Sequence, residues 1–87
     1  MSFSAVTWAM EQDIATSSNK FVLIVLANFC RDTGESSVSI STISRITSLT
    51  EDTVARALKG LIEKRIIQDT GKTVDATLGI KTYKFVL

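Results

Sequence analysis

Histidine is absent from this chain of 87 residues, and cysteine occurs once, at Cys30. Without imidazole or a second thiol there is no ligand set for a structural zinc and no histidine to act as general base. A lone cysteine closes no intrachain disulfide. Cys30 follows the apolar run at 21–29 and is expected to be a buried, inert thiol in a reducing compartment. Glycine is scarce as well: Gly34, Gly60, Gly71 and Gly79 stand apart, so there is no glycine-rich phosphate loop. This inventory argues against an enzyme, and no cofactor or small-molecule substrate is expected. The longest apolar stretch, F-V-L-I-V-L-A-N-F-C at 21–30, is about half of the ~20 residues a bilayer-spanning helix needs. It reads as a buried helix, not an anchor. Met1-Ser2-Phe3-Ser4 suggests a native start and lacks the basic opening of a secretory signal. A cytoplasmic protein without membrane association is expected. Internal repeats, low-complexity tracts and linkers are also missing.

What is present suits one small domain spanning 1–87, with 45% hydrophobic residues to build a core. A chain of this size buries roughly 60–65% of its unfolded surface, so its stability is expected to be modest. The net charge of +1 is weak for a nucleic-acid binder, but the charge is unevenly spread. Residues 1–35 carry Lys20 and Arg31 against Glu11, Asp13, Asp32 and Glu35. Residues 36–87 carry Arg45, Arg56, Lys59, Lys64, Arg65, Lys72, Lys81 and Lys84 against Glu51, Asp52, Glu63, Asp69 and Asp75. The basic excess lies in the second part, which agrees with a local phosphate-facing surface.

That part also holds the clearest pattern. Ile40, Ile43 and Ile46 are spaced for one face of a short helix, and Val54, Leu58, Leu61 and Ile62 for the core-facing stripe of a longer one. Thr47-Ser48-Leu49-Thr50 leaves room only for a sharp corner between them, the sequence form of a helix-turn-helix. Upstream, Ser4 is placed to cap a first helix at 5–12, with Val6, Ala9, Met10 and Trp8 supplying apolar contacts. Ser17 is placed to cap a second helix running to about residue 31, apolar nearly all round and hence central. A turn at 32–36 leads to a short strand at 37–38 and the Ser39 cap. Downstream, the period changes to that of strands. Residues 66–69 and 82–87 read as two strands, with Tyr83 and Phe85 alternating against Lys84 and Val86. Residues 69–73 read as a turn in which Gly71 supplies positive φ, while Asp75-Ala76-Thr77 is open to being an extended hairpin tip. A hairpin directly after such a helix pair is a wing.

The run S-I-S-T-I-S-R-I-T-S-L-T-E-D-T-V-A-R-A-L-K-G-L-I-E-K-R-I-I resembles the winged helix-turn-helix domains of bacterial, phage and plasmid DNA-binding proteins. Replication-initiation proteins and small transcriptional regulators are the nearest in kind. Ser39, Ser44, Thr50, Thr53, Val54, Arg56, Ala57, Leu58 and Leu61 fall on the family pattern, and the preceding K-F-V-L-I-V-L-A-N-F helix with its D-T-G-E turn fits it too. Two positions depart from it. Ser48 stands where the turn usually has glycine, and Arg65 where glycine often ends the second helix. The resemblance implies an α+β, mainly α, winged helix-turn-helix fold with three to four helices followed by a C-terminal β-hairpin wing. It implies binding of double-stranded DNA, with the helix at about 51–64 entering the major groove. A monomer would offer few phosphate contacts, so a homodimer, a tandem site or a longer parent protein is implied as well.

On this reading Thr50 caps the recognition helix and, with Thr53, is placed to meet backbone phosphate. Arg56 is placed for a phosphate or a guanine, with Lys59 flanking it on the polar face to hold phosphate, and the competing role for Arg56 is an ion pair with Asp52. Ser41, Thr42 and Arg45 line the outer face of the preceding helix, where the family touches the DNA backbone. Lys72 sits in the wing turn, equally suited to reach a groove or to stay solvated. Glu51 and Asp52 favour the helix dipole but repel phosphate, although a carboxylate can accept from cytosine N4. Gly60 is expected to admit the wing or another chain closely. Trp8, Phe3 and Met10 are expected in the core or on a partner surface. The competing function is a protein-interaction module for a replisome component or a phage or host factor, since fold alone does not dictate activity.

Overall fold

The computed structural model describes residues 5–75 and 80–86. In chain order the elements are α1 (Ala5–Glu11), α2 (Ser17–Asn28), β1 (Glu35–Ser37), α3 (Ile40–Thr47), α4 (Glu51–Glu63), β2 (Ile67–Asp75) and β3 (Ile80–Phe85). This is the expected arrangement of helices followed by a C-terminal hairpin.

The apolar run becomes α2, which packs against α1, α3 and α4 and buries Val22, Leu23, Val25, Leu26 and Ala27. Completely buried leucines such as Leu23 and Leu26 each contribute about 1.5–3 kcal/mol from burial. The ends of α2 differ from expectation. Thr16, not Ser17, is the N-cap, and its side chain makes no capping bond. The helix stops at Asn28 because Phe29 leaves helical geometry (φ −100°, ψ 11°) and Cys30 turns to bridge Ser36. Cys30 is therefore half-buried rather than buried, with its thiol donating to the Arg31 carbonyl at 3.2 Å. Burial pushes this thiol's pKa up, with Arg31 opposing the shift.

In α1, Ala5 and Ala9 are buried, and Val6 and Trp8 pack partly on the core. The Trp8 ring lies 5.2 Å from that of Phe85, which docks α1 on β3. Met10, expected among the apolar contacts, is 58% exposed; it sits about 100° round the helix from Ala9. The expected Ser4 cap, and Phe3, lie outside the described residues.

The sheet is antiparallel in the order β1-β3-β2, with Ser36 opposite Tyr83 and Ile67 opposite Phe85. The short strand forms at Glu35–Ser37, slightly before the expected 37–38. The buried Ser36 hydroxyl donates to the Leu26 carbonyl at 2.8 Å and ties the sheet to α2. The turn expected at 69–73 is a bulge inside a longer strand. Gly71 does take positive φ (+80°), and the pairing register slips between Asp69 and Thr73. The turn chemistry is real: the Asp69 carboxylate accepts from Gly71 N at 2.9 Å, and the Thr70 hydroxyl accepts from Lys72 N at 3.2 Å. But β3 offers a partner beyond it, so the strand resumes and reaches Asp75. Ala76 and Thr77 of the suggested hairpin tip lie outside the described residues. Among the described residues no helix is long and apolar enough to cross a membrane.

Candidate nucleic-acid interface

Hydroxyl groups build the corner between α3 and α4. Ser39 caps α3, its side chain accepting from Thr42 N at 3.1 Å and donating to the Thr42 hydroxyl at 2.8 Å. At the other end the buried Thr47 hydroxyl donates to the Ile43 carbonyl at 2.7 Å and accepts from Leu49 N at 3.3 Å. The Ser44 hydroxyl donates to the Leu49 carbonyl across the turn. Between these ties Ser48 adopts a left-handed conformation, φ 62° and ψ 20°. Thr50 then caps α4, accepting from Thr53 N at 3.1 Å while donating to the Thr53 hydroxyl at 2.8 Å. The backbone groups freed by so sharp a turn are thus met by neighbouring side chains.

Val54, Ala57, Leu58 and Leu61 face the core, whereas Glu51, Asp52, Ala55, Arg56, Lys59 and Glu63 face solvent. Of the α3 stripe only Ile43 is fully buried; Ile40 is half-buried and Ile46 is 45% exposed. Steps of three rotate backwards by about 60° each in an α-helix, so Ile46 has drifted off the face and Thr47, four residues after Ile43, occupies it.

The expected contact residues fall into three groups. Ser41, Arg45, Arg56 and Lys59 are exposed on α3 and α4. Thr42, Thr50 and Thr53 are already hydrogen-bonded in the two caps. Lys72 is in the β2 bulge rather than in a hairpin turn, and its ammonium lies 3.6 Å from the Glu35 carboxylate. Arg56 does make the competing contact: its Nη2 is 2.5 Å from Asp52 Oδ2, with side chains 74% and 77% exposed. Arg45 and Lys59 make no ion pair among the described residues.

The close neighbour at Gly60 among the described residues is α2, not the wing. A Cβ there would stand 2.9 Å from Nδ2 of Asn19 in α2.

Lys81 was not foreseen. It lines a shallow groove of about 250 Å³ between α4 and the sheet, together with Ile40, Ala55, Lys59, Ile62 and Tyr83, and reaches Asp69 at 3.4 Å. Strand alternation back from Tyr83 would have put Lys81 on that face, had the strand been started earlier. Burial, reinforced by the Asp69 charge, raises the pKa of Tyr83 beneath it. Among the described residues no group of three or more carboxylate, thiol or imidazole side chains is arranged to hold a metal.

Two capped helices thus meet at a left-handed corner, with a hairpin following them in the chain. The model of the helix-turn-helix domain matches residues 16–67, from the α2 cap to the first residue of β2. The chain belongs to the helix-turn-helix domain family. No curated protein and no solved structure matches it. The helix-turn-helix domain here carries its wing beyond the matched span, in the rest of β2 and in β3.

Proposed function

We propose that this helix-turn-helix domain binds double-stranded DNA, with α4 in the major groove and Arg45, Arg56, Lys59 and Lys72 on phosphates. The observation that carries the reading is the solvent-facing side of α4. A helix locked at its N-terminus by the Thr50 cap presents Ala55, Arg56 and Lys59 outward, while α3 presents Ser41, Thr42 and Arg45 beside it. Thr50 and Thr53 lie at the helix N-terminus, where peptide N–H groups favour phosphate. The chemistry serves a small transcriptional regulator or the DNA-binding part of a replication-initiation protein, of phage or plasmid type, acting in the cytoplasm without an enzymatic step.

The test is fluorescence anisotropy on random-sequence duplex over a salt series. Four phosphate contacts give a log–log slope of about −3.6, and Arg56→Ala reduces its magnitude by about 0.9. Absence of binding at low salt, or binding indifferent to Arg56, refutes the proposal. One observation favours a second reading: Arg56 and Lys72 are held by Asp52 and Glu35. A face so neutralised suits docking on another protein, whose apolar contacts would survive salt.

A further inference from the structure

Asp52 has only small structural duties: its charge suits the positive end of the α4 dipole and pairs with Arg56 one turn on. Thr50, not Asp52, caps α4. Among the described residues its only partner is Arg56, and a pair this exposed adds little to stability. It nonetheless stands in the first turn of the helix proposed to enter the groove, where a carboxylate is repelled by phosphate. That repulsion is offset only if the carboxylate accepts a hydrogen bond from a base. In the major groove cytosine offers the N4 amino group. Thymine presents an acceptor at the same place, and the adenine amino group sits beside the N7 acceptor, which repels a carboxylate. Arg56, four residues on and on the same face, has the complementary preference: its fork of donors fits guanine O6 and N7. The two side chains touch at 2.5 Å, so they reach one spot in the groove.

We infer that Asp52 is a specificity-determining residue, which with Arg56 reads a G·C pair: on random sequence Arg56 holds a phosphate, and at the preferred site it turns to donate to guanine while Asp52 accepts from cytosine N4. The inference rests on the DNA-binding proposal and deepens it. The free-state ion pair is then an exchange device. Random sequence breaks it without replacing the acceptor's partner, whereas a G·C pair at that position satisfies both groups.

Glu51 supplies the control, being an exposed carboxylate in the same turn with no ion-pair partner among the described residues. The experiment selects a preferred site from a randomised duplex pool at low salt. It then measures anisotropy on that site and on a copy with the G·C pair replaced by A·T, for the wild type, Asp52→Ala and Glu51→Ala. Circular dichroism melts verify that each variant is folded. Both variants lose one negative charge and should tighten binding to random duplex alike. Only Asp52→Ala should reduce the G·C-to-A·T ratio, by about fivefold or more, the low end for one well-made base contact. A ratio unchanged in Asp52→Ala, or reduced equally in Glu51→Ala, overturns the inference while leaving DNA binding intact. If the wild type shows no salt-dependent binding to any duplex, the functional proposal falls and this inference with it.

Discussion

Ser48 is the residue where the corner stores strain, and replacing it by glycine should stabilise the protein. Its φ of 62° and ψ of 20° lie in the left-handed region, and it joins the end of α3 to the cap of α4. For a residue with a Cβ this conformation costs roughly 1–2 kcal/mol. Glycine avoids that cost but gives back about 0.5–1 kcal/mol through the greater freedom of the unfolded chain. The serine is exposed, and no hydrogen bond holds its hydroxyl among the described residues, so the substitution removes no other interaction. The net expectation for Ser48→Gly is a gain of up to about 1.5 kcal/mol, centred on about 0.75 kcal/mol. In a domain of this size 1 kcal/mol corresponds to about 4–8 °C, so at that centre the melting temperature should rise by about 3–6 °C. Thermal unfolding followed by circular dichroism, with urea titration at 25 °C as a second measure, reads the effect. Ser48→Val should move the other way, since a β-branched residue fits this region worst. A Ser48→Gly melting temperature equal to or below that of the wild type would refute the account of the corner as strained.

Two further outcomes are expected. Gly60→Ala should stabilise by up to about 1 kcal/mol through helix propensity, because the new Cβ meets only the far end of the half-buried Asn19 side chain, which can swing away; a loss in urea titration would show that Asn19 cannot move. Cys30 and Tyr83 both have raised pKa values in the fold, so above their ordinary values the unfolded chain holds fewer protons than the native one and stability falls as pH rises; the urea midpoint should drop between pH 8 and 11, and a drop of the same size in the double variant Cys30→Ala, Tyr83→Phe would refute this origin.

Much of the fold was legible because its signals are local. Ser39 and Thr50 sit one residue before their helices and cap them through their own side chains. The spacing of Val54, Leu58 and Leu61 repeats often enough over α4 to fix its buried face. Where signals were short or the deciding partner lay far along the chain, the reading slipped. Three isoleucines on an eight-residue helix do not define a face, and Ile46 ended up in solvent. The bulge at Gly71 looks like a turn from within β2, since only the pairing of Thr73 with Lys81 shows that the strand continues. The neighbour of Gly60 is Asn19, forty-one positions earlier, and no local pattern announces it. The site was legible as a set of exposed side chains on α3 and α4, but not as a set of charges. That Lys72 lies against Glu35 follows from where β1 joins the sheet.

Those pairings bear on how the domain would be used. Of the four cations proposed to hold phosphates, Arg45 and Lys59 stand unpaired among the described residues, whereas Arg56 and Lys72 must leave carboxylates first. An exposed pair costs at most about 1 kcal/mol to open, so the exchange is feasible, but it subtracts from an already small electrostatic term. With four contacts, affinity would fall only about a hundredfold between 50 and 200 mM salt, against roughly a thousandfold or more for proteins with six to ten. One copy of the domain would therefore hold random DNA loosely. Sequence would have to supply the rest, through base contacts such as that proposed for Asp52 and Arg56, or a second copy would have to double the number of phosphates engaged. The first route makes Asp52, in the acidic first turn of α4, intelligible. Carboxylates at the groove-entering end weaken binding everywhere except where a base pair answers them, which lowers occupancy of wrong sites more than of the right one.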